Sequence, residues 1–396
     1  MSAGAKLELA GAAAVVAGHW LREKVTPARP VRPGETPSSP SALTSEWLTH
    51  ALCREHAGAK VVEFTVGGGS DGTSARRALT VAYNDAGAQA GLPTALYTKS
   101  SPTLATRIFC GLNKLATIET EFYLRVRPEL DIETPTAYAG AYDEPSGRAL
   151  LIMEDIAITR GATFGDPTVT HVDRANAERM VTVMAGYHGP LWEDPRLDTE
   201  FFWLRRSEDF QRRLNDMMGF RRMFHNGLKR SREIMPAAVV ARENEMWGAL
   251  EASLELRARA PQTLLHQDVH ARNWYFNGDG HIGIYDWQAN AKGLWAVDVA
   301  YALSCGLEPE DRRAWERDLL GLYLDRLGAF GGKPPSFDEA WLAYRQQMVH
   351  GLGFWLGTIG VTALQPQLQP HDVCVANIRR MSQAVLDLDT LDALAP

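Results

Sequence analysis

Two short runs of this chain hold residue types that could do chemistry together, HQDVHARN at 266–273 and IYDWQ at 284–288. They place Asp268, Asn273 and Asp286 within 19 residues. Phosphoryl transfer from ATP asks for such groups. One carboxylate orients and deprotonates a hydroxyl, and hard oxygens hold Mg²⁺ beside the triphosphate. Little covalent chemistry is required of the protein itself.

The elements that must position these groups can be read around them. TLL at 263–265 is a short apolar run leading into the first stretch. WYF at 274–276 and HIGIY at 281–285 flank NGDG at 277–280. Apolar, aromatic-rich runs joined by Asn, Gly and Asp predict a β-hairpin. Closing it brings Asn273, just before the first strand, near Asp286, just after the second. A lone D-x4-N is more often turn chemistry at a surface. The Asp at the far end of the hairpin makes that bland reading the weaker one.

His266, Asp268 and Asn273 fall at the spacings of the protein-kinase catalytic loop H-R-D-x-x-x-x-N, which has a Mg²⁺-binding Asp further on. Over roughly residues 41–390 the chain resembles the aminoglycoside-phosphotransferase and choline-kinase-like group of small-molecule kinases. Asp-Trp-Gln in place of Asp-Phe-Gly most resembles the ecdysteroid-kinase-like branch and its bacterial relatives. The resemblance implies an α+β, bilobal protein-kinase-like fold with a small β-rich N-lobe and a larger, mainly helical C-lobe. It implies a phosphotransferase using ATP and Mg²⁺ on a hydroxyl of a small-molecule acceptor, with Asp268 taking the hydroxyl proton and Asn273 and Asp286 holding the metal. His266 is then a structural support, and Asp298, in GLWAVDVAYAL, resembles the family's buried Asp that bonds the catalytic-loop backbone. The bland reading of Asp298 is a helix N-terminal charge. His270 is left without a role. Gln267 stands where many relatives have Gly. That substitution and Trp287-Gln288 speak against protein substrates and activation-loop control, as does the short stretch between Asp286 and Asp298.

Composition sets wide bounds. A chain of 396 residues can bury a sizeable core and suggests two lobes. Hydrophobic residues are 45% and charged residues 22%, as in ordinary globular proteins. A net charge of −7 gives no support to nucleic-acid binding. Cys53, Cys110, Cys305 and Cys374 are scattered and form no CxxC, which fits a reducing cytoplasm. No run of 18 apolar residues predicts a membrane span. Residues 7–20 suggest a short helix docking on the body or a partner, and TPARPVRPGETPSSPS at 26–41 an extended, partly disordered linker. The domain reading is 1–40 for helix and linker, 41–153 for the nucleotide-binding lobe, and 154–396 for the lobe with catalytic loop, metal ligands and acceptor pocket.

Residues 43–57 read as an amphipathic helix capped by Thr44 or Ser45. Strands follow at 61–66, 78–83 and 93–99, a helix at 115–126 and a strand at 148–156. Gly67, Gly69 and Gly72 match G-x-G-x-x-G between two strands, which suits a flap over phosphates better than a dinucleotide fingerprint opening a helix. Ser70 could add a hydroxyl donor there. Lys99 ends a strand at the position corresponding to the lysine that pairs the α- and β-phosphates. On the helix after it, the apolar stripe Leu115, Ile118, Phe122, Val126 puts Glu119 on the inward flank and Glu121 outward. A Lys99–Glu119 ion pair is therefore expected. LLIMED at 150–155 resembles the segment joining the lobes, making Met153, Glu154, Asp155 and Ile156 candidates for the adenine edge.

The acceptor side is the least legible. FFW at 201–203, Trp341, Tyr344 and FW at 354–355 could stack a ring or face a cation, although at helical spacing aromatics are more often core. RRLNDMMGFRRMFHNGLKR at 212–230 reads as a solvated basic helix face. The sequence leaves open the acceptor, the oligomeric state, a nucleotide-binding pseudokinase and an interaction protein acting through its N-terminal helix.

Overall fold

The computed structural model describes residues 3–27, 29–32, 34–71, 74–217, 219–362 and 369–395. Its contacts divide the chain into two compact units, Ser2–Glu129 with Thr134–Ala162 and Leu130–Glu133 with Thr163–Pro396. The division falls after Ala162 rather than after residue 153.

The first unit is built on an antiparallel sheet of β1 (Val61–Asp71), β2 (Ala75–Tyr83), β3 (Ala95–Ser100), β4 (Ala137–Asp143) and β5 (Arg148–Glu154), in the order β1-β2-β3-β5-β4. Leu79, Val81, Leu96, Leu150 and Ile152 of the sheet bury against Trp47, Leu48 and Leu52 of the helix Ser45–Leu52. That helix is shorter than the expected 43–57. Thr44 caps it, its Oγ1 accepting the Trp47 N–H at 3.1 Å. Turns after Cys53 lead to Gly58, whose φ of +79° favours glycine and steers the chain into β1.

The N-terminal helix runs Ala3–Val25. The segment after it, expected to be partly disordered, is tied down over its described residues. The physical reason is the Arg107 guanidinium, only 2% exposed, which needs acceptors. Glu23 accepts from Arg107 at 2.8 Å and from Arg148 at 2.7 Å. Ser38 O accepts from Arg107, Glu35 O from the Trp47 indole, and Pro30 O from Thr44.

In the second unit β8 (Trp274–Phe276) and β9 (Ile282–Ile284) form the expected hairpin, with Trp274 opposite Ile284. Asn277 N–H donates to His281 O across the turn, and Gly280 takes φ +87°. β6 (Thr163–Phe164) pairs with β8, and β7 (Thr263–Leu265) with β10 (Ala291–Gly293). Residues 266–273 thus loop from β7 to β8, and 285–290 from β9 to β10. Glu133 belongs with this unit because its backbone accepts from Ile284 N–H and its carboxylate from Tyr275 and Asn277.

The remainder is helical. The helix Ala296–Gly306 is buried along its whole length. The basic stretch 212–230 is not one solvated helix. It breaks at Gly219, φ +66°, between Ser207–Met217 and Phe220–Arg230, and Phe220, Met223, Phe224 and Leu228 are buried. Among the described residues no helix is long and apolar enough to cross a membrane.

Glu23→Ala should leave Arg107 buried beside neutral carbonyls only. A loss of about 2 kcal/mol is expected, read as a lower melting temperature and earlier proteolytic cleavage within 26–41. An unchanged melting temperature would show that the helix is not held through Glu23.

Candidate active site

Asp298 sits in the first turn of the buried helix and is itself 0% exposed. Its Oδ2 accepts the His266 N–H at 2.7 Å and the Tyr187 hydroxyl at 2.8 Å, and its Oδ1 accepts the Gln267 N–H at 2.8 Å. Burial pushes its carboxyl up, but hydrogen bonds from the His188 side chain and the His266 backbone hold it below the ordinary value. Gln267 takes φ +64°, in the left-handed region that favours glycine. Its N–H bond to Asp298 and its Nε2 bond to Ala289 O at 2.9 Å hold it there.

His266 joins the two runs that carry the carboxylates. Its Nδ1 accepts the Asp268 N–H at 3.2 Å, so its Nε2 carries the proton and donates to Tyr285 O at 3.0 Å. Both bonds need the neutral ring, and burial pulls its pKa down. Trp287 packs edge-on against it, ring centroids 4.6 Å apart, and against Tyr187 on its other side at 5.0 Å. The residue between Tyr285 and Trp287 is Asp286, with φ +67°. Strain of this kind, about 1–3 kcal/mol per residue, persists where the surroundings over-determine it.

Asn273 and Asp268 are locked to each other. Asn273 Nδ2 donates to Asp268 O at 2.7 Å and to Asp268 Oδ2 at 3.2 Å. The hairpin brings Asn273 O to the Tyr285 N–H at 3.0 Å, one residue from Asp286. Asn273 and Asp286 are 5% and 7% exposed, whereas the Asp268 side chain keeps 31%. Asn273 commits its amide hydrogens to Asp268, which leaves Oδ1 as the atom that could coordinate a metal. With the Asp286 carboxylate this is an all-oxygen donor set, which suits Mg²⁺ rather than a soft metal. No group of three or more His, Cys, Asp or Glu that could hold a metal occurs among the described residues, so such an ion would complete its shell from phosphate and water.

The first unit holds its own constellation. Lys99 Nζ lies 2.8 and 2.7 Å from the two Glu119 oxygens, and both residues are nearly buried. Glu121 instead faces Arg125 and Tyr142. Gly67, Gly69 and Ser70 are exposed strand residues of β1 rather than a loop. Gly69 lies opposite Arg77, and a Cβ there would fall 1.8 Å from Arg76 O, so the hairpin closes tightly only on glycine. Gly72 lies outside the described residues. Met153 is buried in β5. The N–H groups of Glu154 and Asp155 donate to Thr136 O and Ala95 O within the sheet. The Glu154 carboxylate is held by Arg160 and Thr159, and Ile156 opens a short helix.

His270, given no role from sequence, is 3% exposed with Nε2 3.4 Å from Asp268 Oδ1. Its i+2 spacing from Asp268 was the available signal. Tyr301 has none, being far along the chain. Burial and the Asp268 charge hold its hydroxyl well above the usual phenol range.

His188, His266 and His350 are all held neutral by burial, below the ordinary 6.5. The unfolded chain takes up protons that these rings cannot, so stability is full above pH 6.5 and falls as pH drops towards the folded values. The expected slope is about 1.4 kcal/mol per pH unit per ring. A melting temperature that stays flat from pH 8 to pH 5 would contradict it.

The profile of the phosphotransferase enzyme family matches residues 112–345. No curated protein matches. Among solved structures, a Ralstonia eutropha protein provisionally assigned as an aminoglycoside phosphotransferase is 14% identical, with a TM-score of 0.51 over 88% of this chain and 97% of that one. That likeness shows the fold, kinase-like with a β-rich and a larger helical lobe. The choline kinase of Streptococcus pneumoniae (12% identity, 83% of this chain, 94% of that one, TM-score 0.41) is more distant. So is the macrolide 2'-phosphotransferase of Brachybacterium faecium (16%, 80%, 92%, 0.41).

Proposed function

This chain belongs to the phosphotransferase enzyme family, and on that premise we propose that it is a small-molecule kinase moving the γ-phosphoryl group of ATP, with Mg²⁺, to a hydroxyl of its acceptor. The observation that carries the reading is the state of Asp268. Its backbone is fixed through His266 and Asn273, one carboxylate oxygen is steadied by Asn273, and the side chain still reaches solvent. A base needs that combination of orientation and access.

In the reaction the acceptor oxygen attacks the γ-phosphorus while its proton passes to Asp268. The bond from the γ-phosphorus to the β–γ bridging oxygen breaks, and ADP leaves. Asn273 Oδ1 and the Asp286 carboxylate would hold Mg²⁺, which when bound neutralises phosphate charge. Lys99, aimed by Glu119, would neutralise phosphate oxygens as well. Gly67, Gly69 and Ser70, with Gly72, would let backbone approach the phosphates, and Met153 to Ile156 would border the adenine. Asp298 and His266 support the loop without touching the reactants. Asp-Trp-Gln keeps the ecdysteroid-kinase-like branch as the closest reading. Cys53, Cys110, Cys305 and Cys374 are free and buried, which suits a cytoplasmic enzyme.

The test is ATP consumption with Mg²⁺ against a panel of hydroxylated acceptors. Asp268→Ala should lower kcat by about 10²- to 10⁴-fold, and Lys99→Met should raise the KM for ATP. Full acceptor-dependent turnover by Asp268→Ala would refute the assignment.

A further inference from the structure

The helical unit contains several buried polar atoms that bond nothing. His270 turns Nε2 to Asp268 Oδ1, and its Nδ1 has no partner. His350, on the helix Phe337–Ile359 and 1% exposed, has no partner at either ring nitrogen. Trp355 lies on the same helix, with its indole Nε1 directed to the Tyr301 hydroxyl. Gln347 Oε1 accepts from Arg257 Nε at 2.8 Å, but Gln347 Nε2 and Arg257 Nη1 bond nothing.

These groups are contiguous, and the series begins at Asp268. The His270 and Trp355 rings meet edge to face at 5.4 Å. The Tyr301 hydroxyl is within reach of Asp268 and Trp355. The Tyr301 ring meets His350 at 6.1 Å, and His350 feels the Arg257 charge. From Gln347 to Trp355 the helix rises about 12 Å. A buried polar group left unbonded costs about 1–3 kcal/mol, and native interiors hold few of them. Those of His270, His350, Gln347 and Arg257 belong to one connected series that starts at Asp268.

Their chemistry selects the ligand. His270 Nδ1 accepts from a ligand when the ring carries a single proton, on the Nε2 that faces Asp268. Trp355 Nε1, Gln347 Nε2 and Arg257 Nη1 are donors, and the neutral His350 ring offers one of each. Hydroxyl groups both give and accept, so they satisfy such a mixture. An ammonium group accepts nothing, and the guanidinium of Arg257 repels it in a desolvated setting. Of the two carboxylates acting on Arg257, Glu208 is engaged by Arg206 through Oε1 and Asp298 by the loop backbone and Tyr187.

We propose that His270, Tyr301, His350 and Trp355, backed by Gln347 and Arg257, form the acceptor subsite beside Asp268, and that it takes a neutral polyhydroxylated molecule rather than an ammonium-bearing one. This rests on Asp268 as the base of the transfer. The full chain is tested with glucose, myo-inositol and glycerol against choline, ethanolamine and kanamycin, by calorimetry without nucleotide and by ATP turnover. A neutral member should bind and be phosphorylated. His350→Leu and Trp355→Phe, checked for unchanged melting, should each raise its KM about tenfold, the equivalent of about 1.4 kcal/mol, with a smaller effect on kcat. Preference for a cationic member, no calorimetric binding of any neutral one, or an unmoved KM in both variants overturns the subsite. Absence of ATP binding refutes the kinase reading instead, and the calorimetry still reads the subsite by itself.

Discussion

A single buried carboxylate governs the loop from β7 to β8. Residues 266–273 have little regular structure of their own beyond a short turn at Ala271–Asn273. Asp298 reaches them from the most deeply buried helix of the second unit and accepts two successive backbone N–H groups. A carboxylate in that setting is unfavourable unless fully hydrogen-bonded, and the Tyr187 hydroxyl completes the set. The same bonds fix the left-handed turn at Gln267. The next residue, Asp268, is then delivered in one orientation.

From that anchor order passes outward through neutral groups. His266 carries it to Tyr285 O and so to the strained backbone at Asp286. Asn273 carries it to the Asp268 carboxylate. Neutral imidazole and amide links place the carboxylates without cancelling their charge, which a lysine or arginine in the same positions would do. In the first unit the solution differs, because Lys99 and Glu119 form a nearly buried ion pair. Such pairs add little net stability. What this one does is aim an ammonium group that would otherwise sweep a wide volume on a four-carbon stem.

Much of this was legible in the sequence because it is local. The hairpin followed from apolar runs around NGDG, and Glu119 was separated from Glu121 by helical angle, in keeping with the resembled family's E-x-x-F-Y pattern. Four of the five strands of the first unit and the helical remainder followed from period and punctuation, whereas β4 did not. What was not legible depends on distant contacts. Nothing in GGGSD shows that the glycines continue β1, because that depends on the close pairing of Gly69 with Arg77. The order of the proline-rich segment depends on Arg107 and Arg148, far along the chain from Glu23. Gln267 looked like a departure from pattern until its backbone angle and its bond to Ala289 were seen. Tyr301 and His350 read as ordinary core positions of apolar helices, and only the place of Tyr301 beside Asp268 and the missing partners of His350 set them apart.

The central claim is that this loop and hairpin handle a metal-bound nucleotide. Titration of ATP into the wild-type protein and Asp286→Ala, each with and without Mg²⁺, tests it most directly. The account predicts that Mg²⁺ tightens ATP binding to the wild type and that Asp286→Ala abolishes this gain while remaining folded. Equal dependence on Mg²⁺ in both proteins, or none in the wild type, would contradict it.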